Sequence, residues 1–164
     1  MILDLKKLFT DKNGTISFDY SMDMSSSEID NVYPFIAPVK VRGTVVMKDG
    51  FAQLTAKTSF DFSVPCDRCT RQINRHFDYS FSHILVRSLE NEEDDRFVEV
   101  RGESLDLDEL MREDILLEIP TKFLCREDCR GICPVCGKNL NDGPCGCGPQ
   151  IADARFDVLK NLIH

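Results

Sequence analysis

Val39-Lys-Val-Arg-Gly-Thr-Val-Val-Met-Lys48, then Asp49-Gly50, then Phe51-Ala-Gln-Leu-Thr-Ala-Lys-Thr-Ser-Phe-Asp-Phe-Ser-Val-Pro65 is the stretch that decides the fold. Apolar and polar side chains alternate along it, which puts Val39, Val41, Val45 and Met47 on one face of a strand. Asp-Gly between two such runs is the strongest short hairpin signal, because a type I′ turn needs positive φ at both central residues. Closing the loop on those two residues sets Val45 opposite Leu54, Val41 opposite Thr58 and Val39 opposite Phe60, so both strands keep one apolar face. The same register brings Arg42 opposite Lys57 on the outer face. Like charges across a ladder cost a few tenths of a kcal/mol (about 0.2–1 for such pairs) unless an anion sits between them or solvent screens them. Gly43 faces Ala56, a small-residue spot that a backbone or ligand can approach.

Working outward, Phe60, Phe62 and Val64 carry the second strand to Pro65, and alternation resumes at Phe77, Tyr79, Phe81 and Leu85. Cys66-Asp-Arg-Cys69 therefore occupies the bend between two long antiparallel strands. Glu90, Glu92, Glu93, Asp94 and Asp95 read as a solvated acidic loop, and Phe97-Val-Glu-Val100 as a short strand. Leu107, Met111, Ile115 and Ile119 recur at helical spacing, which predicts a helix of about 12 residues, capped by Asp106 or Asp108 and ended by Pro120. Ala152, Phe156, Leu159 and Ile163 predict a second short amphipathic helix. Near the start, Leu3, Leu5, Leu8 and Phe9 suggest a short strand or helical turn, and Thr15 to Tyr20 a strand. The expected class is α+β: an antiparallel β-meander or partly open barrel with one amphipathic helix, a C-terminal Cys-rich zinc module and a short C-terminal helix. Residues 1–120 form the expected core domain, with a zinc-knuckle loop at 66–69, and residues 121–164 the Cys-rich tail.

The chain has 8 cysteines in 164 residues. Cys125, Cys129, Cys133, Cys136, Cys145 and Cys147 stand in one turn-rich run, with Cys66 and Cys69 upstream. Thiolate is a soft ligand that holds zinc tetrahedrally, and a C-x-x-C in a tight turn presents two sulfurs at the right separation. Eight thiols suggest two four-thiolate zinc sites, Cys66/Cys69/Cys125/Cys129 and Cys133/Cys136/Cys145/Cys147. A disulfide framework and a thiol redox function are the alternatives. The first belongs to short secreted chains, whereas Met1-Ile-Leu-Asp-Leu-Lys-Lys7 has neither an apolar h-region nor a cleavage site, so a reducing cytoplasm is expected. The second asks for a C-x-x-C opening a helix after a strand, which Cys133-Pro-Val-Cys136 does not do. No apolar run approaches the roughly 18 residues of a membrane span.

A formal net charge of -8 argues against a general nucleic-acid binder. Basic residues gather locally: Arg68, Arg71 and Arg75 accompany a single Asp67 around the first C-x-x-C. They either neutralise a thiolate–metal cluster, which carries net negative charge, or bind phosphate. Enzymatic chemistry is not expected. His76, His83 and His164 stand in no catalytic motif, no phosphate-binding Gly-rich loop is present, and zinc saturated by four cysteines has no open position for substrate.

Pro65-Cys66-Asp-Arg-Cys69, Asp114-Ile-Leu-Leu-Glu-Ile-Pro120, Cys129-Arg-Gly-Ile-Cys133-Pro-Val-Cys136-Gly-Lys-Asn-Leu-Asn141 and Cys145-Gly-Cys147 together resemble the bacterial YceD family. The segment Asp153-Ala154-Arg155-Phe156 through Leu159 and Leu162 is similar to the family's tail, with Ala154 where proline is usual. The resemblance covers about Val39 to Ile163. It implies a cytoplasmic, non-enzymatic factor that supports synthesis, processing or accumulation of large-subunit ribosomal RNA. On this reading Arg42, Lys57, Arg68, Arg71 and Arg75 are the candidate contacts to precursor RNA or a pre-ribosomal particle. No membrane partner and no small-molecule substrate are expected. The alternative is a zinc-stabilised adaptor for a ribosomal protein or nuclease.

Overall fold

The hairpin forms in the register its sequence requires. In the computed structural model, which describes residues 1–10, 14–48, 51–87 and 97–148, strand β3 (Val39–Lys48) lies antiparallel to β4 (Phe51–Pro65). Val45 faces Leu54, Val41 faces Thr58 and Arg42 faces Lys57, and the ladder closes at Lys48 opposite Phe51. The predicted turn residues Asp49 and Gly50 lie outside the described residues.

The remaining elements are β1 (Ile2–Asp4), α1 (Lys6–Thr10), β2 (Thr15–Met22), β5 (Gln72–Val86), β6 (Phe97–Glu99), β7 (Ser104–Asp106) and α2 (Leu107–Glu118). A five-stranded sheet runs in the order β2-β3-β4-β5-β6, and β1 pairs with β7 in a separate two-stranded sheet. The first four strands of the large sheet are the expected antiparallel meander. One feature differs from expectation: β6 pairs parallel to β5, with Phe97 beside Ile84. Of the two expected forms, the sheet is the open meander and not the partly open barrel, with β2 and β6 as its edges. Closure into a barrel needs the first and last strands to pair with a matched stagger; a three-residue β6 offers little to pair with, and the apolar face is covered by other elements instead.

That face is written most plainly on β4, where Ala52, Leu54, Ala56, Thr58, Phe60, Phe62 and Val64 are all buried and their neighbours are not. It shares one core with Leu107, Met111 and Ile115 of α2 and with Leu3, Leu5 and Leu8. Helix α2 starts where Asp106 accepts from the N–H groups of Asp108 (3.0 Å) and Glu109 (3.4 Å). It stops at Ile119, whose extended backbone precedes Pro120. His83 of β5 meets Asp114 of α2 at 2.8 Å, tying helix to sheet. The small-residue spot at Gly43 is filled from within: a Cβ there would lie 2.6 Å from the ring of Phe18 and 2.2 Å from the carbonyl of Thr55. The acidic run at 90–95 and the predicted helix after Pro149 lie outside the described residues. Among those described, no helix is long and apolar enough to cross a membrane.

Candidate metal centres

Strand β4 ends at Cys66, where the chain must reverse into β5. Cys66 N–H donates to the Arg71 carbonyl (2.8 Å) and Thr70 N–H to the Cys66 carbonyl (2.9 Å), with Thr70 at positive φ. This tight bend aims Cys66 and Cys69 at the chain emerging from α2. The two segments interlock. Asp67 N–H donates to the Phe123 carbonyl (2.9 Å) while the Asp67 carboxylate accepts from Phe123 N–H (2.7 Å). Phe123 stacks on Phe62 of β4 with ring centroids 5.3 Å apart.

The result places Cys66, Cys69, Cys125 and Cys129 together, every sulfur within 4.8 Å of the others. Cys66 to Cys129 is 3.8 Å and Cys69 to Cys125 is 3.5 Å. A tetrahedron with metal–sulfur bonds of about 2.3 Å has edges near 3.8 Å, so the set can hold a metal ion. All eight cysteines are free thiols. Cys133, Cys136, Cys145 and Cys147 form the second set under the same separation. Its turn is shaped by Gly137 N–H donating to the Cys133 carbonyl and Cys133 N–H to the Lys138 carbonyl, both 2.8 Å. Gly131 enters it at positive φ, and a Cβ there would meet the Arg68 carbonyl at 3.0 Å. The first set is largely buried, whereas Cys136 of the second is exposed.

Backbone N–H groups aimed at sulfur split the thiols electrostatically. Burial pushes Cys66 up, but the N–H groups of Cys125, Cys69 and Arg68 together outweigh it and bring it down to about 6. N–H groups of Cys136 and Val135 lower Cys133 to about 6 as well. Burial, then hydrogen bonds from neighbouring thiols, pushes Cys125 up to about 12. Cys147 is pushed up to about 12 by Cys136 first and by burial second. Each set thus has a sulfur ready to ionise beside one that resists. A divalent cation removes that resistance by neutralising the crowded charge.

Several residues around the sulfurs escaped notice in the sequence. The Asn141 amide donates to Cys129 Sγ (3.3 Å) and to Asn139 Oδ1 (2.8 Å), while its carbonyl oxygen accepts from Arg130 N–H and Arg126 Nη2, both 2.9 Å. It is a hub that orients a ligand from outside the first coordination shell. Its only sequence signal, like that of Asp67, was its place inside a motif dominated by cysteine.

The arginines of the bend point into the Cys-rich segment. Arg68 Nη1 donates to the Cys129 carbonyl (2.8 Å), Arg75 Nη2 to the Leu124 carbonyl (3.2 Å) and Arg71 Nη2 to Asp142 (3.1 Å). Arg42 and Lys57 lie elsewhere, side by side on the outer face of the sheet, with Asp19 opposite Arg42 on its other flank.

The fold and these centres define an α+β protein whose open sheet is fastened to a Cys-rich segment through one of two four-cysteine candidate metal sites. The chain belongs to the YceD family: the family described as Large ribosomal RNA subunit accumulation protein YceD matches residues 54–163. Among its relatives, the uncharacterized protein YlbN of Bacillus subtilis is 26% identical over 76% of this chain and 74% of its own length. A protein of Arabidopsis thaliana named Large ribosomal RNA subunit accumulation protein YCED homolog 1, chloroplastic, is 24% identical over 79% of this chain and 50% of its own length. An uncharacterized protein of Mycobacterium bovis is 29% identical over 60% of this chain and 49% of its own length. The chain thus spans about half of the plant and mycobacterial relatives. No solved structure matches it.

Proposed function

We propose that this protein is a non-enzymatic ribosome-biogenesis factor that supports synthesis, processing or accumulation of large-subunit ribosomal RNA in the cytoplasm. The observation that carries this reading is the family match over residues 54–163, joined to a plant relative bearing the same name. Zinc is the proposed metal, because each site offers four thiolates and no hard oxygen donor. Four sulfur ligands leave no position for substrate, so the proposed role of the ions is to hold structure. Residues 1–120 then act as the core domain and residues 121–164 as a tail locked to it by the first ion. The partner is precursor RNA or an assembling particle. Depleting the protein should lower the ratio of mature large- to small-subunit RNA, and the purified protein should co-sediment with large-subunit precursor particles in an RNase-sensitive way. An unchanged ratio together with no co-sedimentation refutes the proposal.

A second reading, an adaptor for a ribosomal protein or nuclease, is favoured by Leu117, an apolar side chain 86% exposed on α2 beside exposed Leu116. RNase-resistant association that Leu117→Ser abolishes would select it.

A further inference from the structure

On the reading that the protein contacts large-subunit RNA, we propose that the contact is made by the outer face of the sheet around Lys40, Arg42 and Lys57, which binds the sugar-phosphate backbone without reading base sequence. The register places these three cations as neighbours: Arg42 directly opposite Lys57, and Lys40 two residues along from Arg42 on the same face. Among the described residues none of the three side chains has an ion-pair or hydrogen-bond partner. They line an open concavity of about 550 Å³.

Other cations of the neighbourhood are engaged. Arg68, Arg71 and Arg75 are bonded to the Cys-rich segment, and Arg126 to Asn141 and Asp128. His76 lies 2.7 Å from Asp61 and 3.6 Å from Asp78, so those two carboxylates already face a base. Three unpaired positive groups held together by a ladder repel one another, and a polyanion relieves that repulsion. Ser80 adds a hydroxyl donor beside them, while Asp19 and Asp78 line the flanks and limit the anion to the centre.

The same surface lacks what base recognition needs. The next row of the outer face is Ser17, Thr44, Thr55 and Ser82; among the described residues the exposed phenyl ring on this face, Phe51, lies six residues up β4, about 20 Å away at strand rise, and the nearer imidazole of His76 is held at both nitrogens, by Asp61 (2.7 Å) and Ser59 (3.1 Å). Single-strand binders that grip bases do so by stacking them on aromatic rings. Backbone contact alone is therefore assigned.

The test is fluorescence anisotropy of the full chain with a labelled single-stranded large-subunit RNA segment and a scrambled oligonucleotide, across a salt series. Three phosphate contacts give a slope of log affinity against log salt of about -2. Wild type should bind both sequences equally with that slope, and Lys40→Ser/Arg42→Ser/Lys57→Ser should flatten it to near zero with unchanged melting temperature and metal content. Arg71→Ala should leave the slope as it is. The assignment is overturned if wild type binds neither oligonucleotide, if it prefers one of them by more than about tenfold, or if Arg71→Ala flattens the slope and the triple variant does not. It is overturned also if the triple variant instead loses a ribosomal protein in an RNase-treated pull-down. Co-sedimentation separates the levels: if wild type still travels with precursor particles while the salt test fails, only the groove assignment falls.

Discussion

Cys66→Ser removes one sulfur from the candidate metal site that joins the Cys-rich segment to the sheet, and its consequence can be worked from the contacts. Ordering residues 121–130 costs about 1–2 kcal/mol per residue in backbone entropy, or roughly 10–20 kcal/mol for the segment. Against this, once the Cys125 N–H bond to Cys66 Sγ is lost with the sulfur, stand four hydrogen bonds across the interlock: Asp67 N–H to Phe123, Phe123 N–H to Asp67, Arg68 to Cys129 and Arg75 to Leu124. At about 1 kcal/mol each they contribute roughly 4 kcal/mol. Burial of Phe123, 7% exposed, adds about 2–3 kcal/mol. The sum, about 6–7 kcal/mol, falls short, and the proposed zinc ion, at the order of 10 kcal/mol of a structural site, would close the gap. Cys66→Ser should therefore bind one ion less and release residues 121–130 from the sheet. Cys136→Ser, at the exposed corner of the second set, should also lose one ion but leave that segment docked. Metal analysis paired with hydrogen exchange reads both outcomes. If the amides of Phe123 and Cys125 in Cys66→Ser keep the protection of the β4 core, the interlock holds without the ion and the reasoning is wrong. Cooperative melting of the strands in Cys136→Ser would refute the independence of the second site.

Asn141→Ala should weaken the first site by about 10–100-fold in chelator competition, because it removes the N–H donated to Cys129 Sγ and the anchor of Arg126 and Arg130; an unchanged affinity refutes the hub role. Gly43→Val should cost at least about 1–3 kcal/mol in denaturant unfolding, since its Cβ meets the Phe18 ring and the Thr55 carbonyl. Acid should strip the ions, because protons compete for all four sulfurs of each set: the stabilisation from Cys66 and Cys133, held down to about 6, is full above the ordinary thiol value of 9.0, declines as pH falls below it and is gone once pH has passed through about 6. A descending pH series with a chromophoric chelator checks this, and ion release that grows on raising the pH contradicts it. Asp114→Ala should destabilise the domain by about 2 kcal/mol by stranding His83, which is 13% exposed at the sheet–helix junction; melting unchanged from wild type would place the pair outside the stabilising contacts.

What the sequence determined by itself was everything that local chemistry encodes. A two-residue Asp-Gly connection and strict alternation leave one register for β3 and β4, and the observed pairs follow it from Lys48–Phe51 to Lys40–Ser59. Helix α2 carries its own signals, an Asp106 cap and a proline beyond Ile119. Thiol spacing, with the strand bend at Cys66 and the helix end before Cys125, suggested the two sets of four that the structure brings together. The direction of β6 was invisible, because three alternating residues pair equally well either way. The cause of Gly43 was invisible too, since the ring that fills its place comes from β2. Above all, a local count of charge left Arg68, Arg71 and Arg75 between two roles, neutralising a thiolate–metal cluster or binding phosphate. Only the tertiary structure shows where their N–H groups go: to carbonyls and a carboxylate of a segment brought up by the far end of α2. Hydrogen-bond partners distant in the chain leave no periodic trace, so the sequence shows which side chains carry charge, while the fold decides which of them remain unpaired.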